Sequence, residues 1–282
     1  MGFYEIILIT IVVAVPAAVV VSIAVLRIRR TRTRGRLIGR RLSPRDDRTI
    51  RRNVPLYRCL PQQLQEQLQG LVQVFLAEKL FIGCGGLEVT DKMRLVIAAQ
   101  ACMLLLNRDT RYYPRLKTIY IYPDAFAVRQ DSDDGFLHVE GPDVRVGESW
   151  DNGPVVLAWQ DVRDDAHTRD GSNVVLHEFA HQLDQENGEM DGTPLLPDKA
   201  RCESWARVFT AEYEALQRRK GGPTVLDRYG AESPAEFFAV ATEAFFEKPA
   251  ELKSRHGELY AELAAYYNLD PAAWAGQGNI RQ

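Results

Sequence analysis

Two histidines stand four residues apart in His177-Glu178-Phe179-Ala180-His181, with a glutamate directly after the first, giving an H-E-x-x-H pattern. On a helix, residues at i and i+4 lie one turn above each other, so both imidazoles can reach one metal ion. Glu178 then sits beside that ion, where it can take a proton from a bound water. With average amino-acid usage, roughly one chain in a hundred of this length would carry the pattern by accident. The motif is therefore specific, but it does not stand as proof alone.

A catalytic zinc site has three protein ligands and leaves a fourth position to water. The four cysteines, Cys59, Cys84, Cys102 and Cys202, form no C-x-x-C pair, which argues against a closed structural site. His138, His167 and His256 are isolated, and no H-x-x-G-x-x-H extension follows His181. The third ligand is therefore expected to be a carboxylate from further along. Ser233 to Phe246 reads as a helix, with Ser233 as cap, Pro234 in the first turn and Glu236 three residues after the cap. Phe237, Val240, Ala241 and Ala244 supply its apolar stripe. Glu236 and Glu243 are seven apart and share a face, and a buried carboxylate needs a partner. A metal ion would be one such partner for Glu236. A capping-box bond back to Ser233 is the other reading, and spacing alone favours neither.

These residues carry a resemblance to a known family. His177–Asp184 (HEFAHQLD), Gly153–Trp159 (GPVVLAW) and Pro234–Val240 (PAEFFAV) look like the MtfA family, zinc-dependent peptidases named for titrating the glucose repressor Mlc. The similarity runs from about Leu56 to about Pro271 and includes Ile121-Tyr-Pro123 and Phe245-Phe246. Over a shorter stretch, Tyr229-Gly230 and Ala235–Ala239 are similar to the anthrax lethal factor catalytic domain. The resemblance implies a zincin-like fold, with His177, His181 and Glu236 as ligands of one Zn2+ and Glu178 as catalytic base. Tyr229 matches a tyrosine that assists catalysis, and its phenol could donate to the oxyanion of a tetrahedral intermediate; ordinary packing is the alternative. Glu243 and Asp184 are candidates for orienting a ligand imidazole through its other nitrogen. Asp184 could instead cap a helix end or bond the following loop. A set of two histidines and one carboxylate also accepts manganese or cobalt.

The elements needed to position these groups can be read coarsely. Pro61–Phe81 and Asp91–Asn107 have helical periodicity, and from Ser172 onward the pattern is helical through Asp198–Arg218, Ser233–Phe246 and His256–Tyr267. Thr118–Tyr122, Phe136–Val139 and Val155–Trp159 read as short strands, with a turn at Asp131–Gly135. The strand beginning at Gly153 could receive a substrate by strand addition if it forms a sheet edge, or be an ordinary core strand. Strands that bunch together favour an α+β fold, mostly helical with a small mixed sheet, over a doubly wound one.

The N-terminus carries a separate signal. Ile6 to Leu26 is free of charge and long enough to span a bilayer as a single transmembrane helix. Eight arginines follow between Arg27 and Arg41, while Glu5 alone precedes the run. A signal peptide would have its positive charge first. The order here places the N-terminus outside and the catalytic domain in the cytoplasm, at the inner membrane. The expected organisation is an anchor at 1–26, an arginine-rich juxtamembrane linker at 27–55 and a zinc metallopeptidase domain at 56–282. Within the linker, 40–53 mixes Arg, Asp, Ser and Pro as a flexible tether would.

The arginine cluster suits anionic lipid headgroups better than nucleic acid, because no aromatic residues interleave it. Net charge is −3 over 282 residues, and 13 arginines between Arg27 and Arg58 mask an acidic remainder that would not seek DNA. The leading expectation is a membrane-anchored peptidase, aminopeptidase-like by resemblance, acting on peptide or protein substrates. The competing expectation is a binding protein that sequesters a transcriptional repressor, with the metal site secondary.

Overall fold

The computed structural model describes residues 3–108, 112–124, 153–165, 170–222 and 224–274. In chain order these form α1 (Phe3–Ile38), α2 (Pro44–Asn53), α3 (Pro55–Cys59), α4 (Gln62–Glu78), β1 (Leu80–Gly83), α5 (Asp91–Met103), β2 (Thr118–Tyr122), β3 (Val155–Ala158) and α6 (Trp159–Asp165). The second half follows as α7 (Val174–Asp184), α8 (Lys199–Arg218), α9 (Pro234–Glu247), α10 (Pro249–Arg255) and α11 (Gly257–Tyr267).

The sheet has the order β1-β2-β3, with both pairings parallel. The mixed sheet expected from the sequence is thus replaced, among the described residues, by a parallel one. Helix α5 carries the chain from the end of β1 back to the start of β2, the crossover that parallel neighbours require. Strand β1 corrects a second expectation, since the helical reading of 61–81 runs through its first residues. Helix α4 stops at Glu78 because Lys79 turns into the core, its Nζ donating to the Tyr113 and Leu116 carbonyls at 2.7 Å each. Leu80 then joins the ladder beside Thr118. A short apolar run such as Leu80-Phe81-Ile82 fits helix and strand periodicity alike. Phe136–Val139 and the turn at Asp131–Gly135 lie outside the described residues.

Arg40 to Asn53 is not a tether. Ser43 caps α2 by accepting the Asp46 N–H, Pro44 occupies its first turn, and Ile50 is fully buried. Tyr57 donates to Asp47 at 2.7 Å, joining α2 to α3. The basic half of α1 also docks on the body. Arg30 and Arg34 each place Nε and Nη2 on the Glu78 carboxylate, at 2.6 to 3.2 Å, and Arg34 lies 4.4 Å from the Tyr112 ring centre. Among the described residues no helix is long and apolar enough to cross a membrane. The side chains of residues 5–14, nearly half of the apolar run, fall outside that description.

The core is continuous from α2 to α11. Helix α5 is buried along nearly its whole length, and α7 packs on both α5 and α9. Around α9, Phe237 meets Phe209 of α8 edge-on at 5.6 Å, and Phe245 stacks on Tyr267 of α11 at 5.5 Å. This aromatic packing fixes α9 against α8 and α11, leaving its N-terminal turn to face α7.

Candidate metal centre

Helix α7 begins at Asn173, whose Oδ1 accepts the Leu176 N–H at 3.0 Å. Val175, Leu176, Phe179, Ala180 and Leu183 are buried at helical spacing, so this face locks the helix into the core. Phe179 packs at 4.9 Å on Tyr113 and at 5.6 Å on Phe75. His177 and His181 are held on the side that meets α9. In α9, the Ser233 hydroxyl accepts the Glu236 N–H at 3.1 Å, so the cap is made to the backbone of Glu236. Its carboxylate is directed into the α7–α9 seam.

There three donor atoms converge. His177 Nε2 lies 2.9 Å from Glu236 Oε2 and 3.2 Å from His181 Nε2, and His181 Nε2 lies 3.5 Å from Glu236 Oε2. Metal bonds of ~2.0–2.1 Å put the donors of a tetrahedral zinc roughly 3.3 Å apart. The triangle therefore matches a zinc site in donor type and in spacing. Among the described residues no other group of three or more such donors converges in this way.

The electrostatics follow from this crowding. Burial acts to lower the pKa of His177, but the Glu236 and Glu243 carboxylates outweigh it and lift it to about 10. Burial acts to raise Glu236, yet bonds from His177 and His181 hold it down at about 2. Both shifts favour positive charge among these donors. Glu178, half-buried beside His177 and His181, has its pKa raised by burial against the pull of both imidazoles. That moves a carboxylate in the direction a general base requires.

Glu243 faces the second nitrogen of His177, with Nδ1 to Oε1 at 2.7 Å, and its Oε2 accepts the Asn173 N–H. Asp184 is placed differently: it is fully buried and accepts the Gly192 N–H at 2.8 Å. Tyr229 sits on a short 3-10 turn, Arg228–Ala231, directly before α9. Its ring is half-exposed, 5.9 Å from the His177 ring, and its pKa is raised by burial and by Glu236. His256 is remote from this cluster, bonded to Glu212 at 2.8 Å, and no disulfide joins the four cysteines. His138 and His167 lie outside the described residues.

Sequence reasoning missed the groups behind Glu243. The Asn173 amide donates to Gln100 at 2.7 Å and to Glu247 at 3.2 Å. Asn173 could have been found as an N-cap four residues before the first ligand. Gln100 comes from α5, and no local pattern points to it. Strand β3 ends the described sheet, pairing only with β2 among the described residues.

Known proteins resemble the chain over most of its length. A family model, the glucose-regulated metallo-peptidase M90 family, matches residues 27–268. An uncharacterised protein of Synechocystis is 47% identical over 240 residues, covering 83% of this chain and 87% of its own. Mlc titration factor A of Pectobacterium atrosepticum is 32% identical over 240 residues, covering 81% and 89%. The protein of that name from Escherichia coli is 31% identical over 226 residues, covering 78% and 84%. With the match spanning most of the chain and the His-His-Glu cluster inside it, the chain belongs to the M90 metallopeptidase family, the family of Mlc titration factor A.

Proposed function

We propose that the protein is a membrane-anchored, zinc-dependent peptidase of aminopeptidase-like action, with its catalytic domain in the cytoplasm. The observation that carries the chemistry is the convergence of His177, His181 and Glu236 donor atoms to 2.9–3.5 Å of one another. A zinc ion held there supplies Lewis-acid polarisation of a water and of the scissile carbonyl. Glu178 takes the proton of the attacking water and delivers it to the departing amine. The Tyr229 hydroxyl donates a hydrogen bond to the oxyanion, a role its exposure beside His177 allows. Glu243 holds His177 with its proton on Nδ1, so that Nε2 presents a lone pair. The place of β3 at the end of the sheet among the described residues supports substrate binding alongside that strand.

The anchor reading is supported by the uncharged run from Ile6 to Leu26 and the arginines that follow it. Arginines on the exposed face of α1 would meet anionic lipid headgroups. A second reading is favoured by the name of the relatives, Mlc titration factor A. By that analogy the protein would bind a transcriptional repressor, with hydrolysis secondary.

The test is hydrolysis of aminoacyl and short-peptide chromogenic substrates by wild type and Glu178→Gln, with chelator and with zinc restored. Activity that zinc restores to the wild type but not to the mutant supports the peptidase. Equal behaviour of the two proteins, both holding zinc, favours the binding protein, since Glu178 is not placed as a ligand.

A further inference from the structure

We propose that Gly192 and Asp184 form a brace that sets the spacing between α7 and α9. On this view Asp184 serves the metal site through the brace, and not by contact with an imidazole. The inference rests on the metal-site reading above and assigns a role to a loop that reading leaves unused.

Asp184 is the last residue of α7, three beyond His181. Its Oδ2 accepts the Gly192 N–H at 2.8 Å, and the Gly192 carbonyl accepts the Trp205 Nε1–H of α8 at 3.0 Å. Gly192 has a φ of +80°, a conformation in which side chains are strained. A Cβ there would also collide with the Pro234 carbonyl group, approaching its carbon to 2.7 Å. Pro234 is the first residue of α9, two before Glu236. One residue thus touches the end of the histidine helix, the start of the glutamate helix and a buried tryptophan that packs on Phe238 at 5.7 Å.

The distance that this contact governs is the one between His181 Nε2 and Glu236 Oε2, 3.5 Å. Metal ligation tolerates only a few tenths of an ångström in each bond, about ±0.2 Å. A shift of α9 large enough to admit a Cβ at position 192 exceeds that tolerance. Direct orientation of His181 by Asp184 does not account for the close approach of Gly192 to Pro234. Among the described residues, neither His181 Nδ1 nor Asp184 Oδ1 has a hydrogen-bond partner.

The experiment measures zinc affinity by chelator competition, and thermal unfolding of the zinc-free proteins, for wild type, Asp184→Asn, Asp184→Ala and Gly192→Ala. His181→Ala serves as control. Asparagine keeps an oxygen that accepts the Gly192 N–H, so Asp184→Asn is expected to bind zinc within about threefold of wild type. Asp184→Ala and Gly192→Ala are expected to lose roughly 10- to 100-fold in affinity, the range typical when support of a ligand is removed. Should Gly192→Ala not fold, the two Asp184 variants decide. Equal losses for Asp184→Asn and Asp184→Ala would overturn the brace in favour of a charge effect on His181. Lowered melting points with unchanged zinc affinity would overturn it as well, leaving a purely structural loop. If His181→Ala binds zinc as wild type does, the metal-centre reading itself fails, a result distinct from either.

Discussion

His177 lies between two carboxylates, each satisfying one ring nitrogen, and this double contact explains why its partners were only partly legible in sequence. The H-E-x-x-H spacing identifies the histidines without any structure, because i and i+4 must share a helix face. For Glu236, spacing left two roles open, and the packing of α9 separates them. Ser233 caps the backbone N–H of Glu236, which leaves the carboxylate free for the seam. Only the docking of one helix on another, about 60 residues away in sequence, supplies that information. Glu243 gives the sharper prediction at this scale. In Glu243→Gln, the amide group must face either the His177 Nδ1–H or the Asn173 N–H, setting donor against donor. Zinc affinity, measured by competition with a chromophoric chelator, is expected to fall about 10- to 100-fold. Circular dichroism should show the helical content retained. An unchanged affinity would remove Glu243 from the site.

At the scale of elements, two devices can be tested without touching His177, His181 or Glu236. Ser233→Ala removes the cap of α9 and is expected to cost about 1 kcal/mol. For a domain of this size that lowers the melting temperature by about 2–4 °C. The second device is the docking of α1 on α4. Burial acts to raise the Glu78 pKa, but Arg34 and Arg30 outweigh it and hold the carboxyl at about 2, below its ordinary 4.5. A depressed carboxylate stabilises the docked state fully above pH 4.5, and this contribution is lost as the pH falls from there toward 2. Protection against hydrogen exchange across residues 27–38, taken relative to the intrinsic rate at each pH, should therefore fall over that window, and Glu78→Gln should show the lower protection already at pH 7. Identical exchange in mutant and wild type would mean that α1 is held by other contacts. This docking was invisible in the sequence because an Arg-rich stretch has the composition of a solvated linker. Its acceptor, Glu78, lies more than 40 residues away on another helix.

For the molecule as a whole, α1 connects the two signals that the sequence presented separately. The helix runs unbroken from Phe3 to Ile38, so the apolar run and the docked basic segment share one axis. At ~1.5 Å per residue, the uncharged run from Ile6 to Leu26 is about 31 Å long, comparable to the hydrocarbon core of a bilayer. The family match begins at residue 27, where the arginines start. The matched region thus includes the docked portion of α1. On the anchor reading proposed above, the body would be held without a flexible joint, because the basic part of the same helix is clamped by Glu78. Expressed in bacteria, the full chain is expected to sediment with membranes and to be released by detergent but not by alkaline carbonate. A chain beginning at Arg27 should remain in the supernatant with its zinc affinity unchanged. Protease added outside sealed spheroplasts should leave the body intact if the arginines face the cytoplasm. Release of the full chain by carbonate or high salt would instead indicate surface attachment through the arginines alone. In that case the uncharged run would not cross the bilayer.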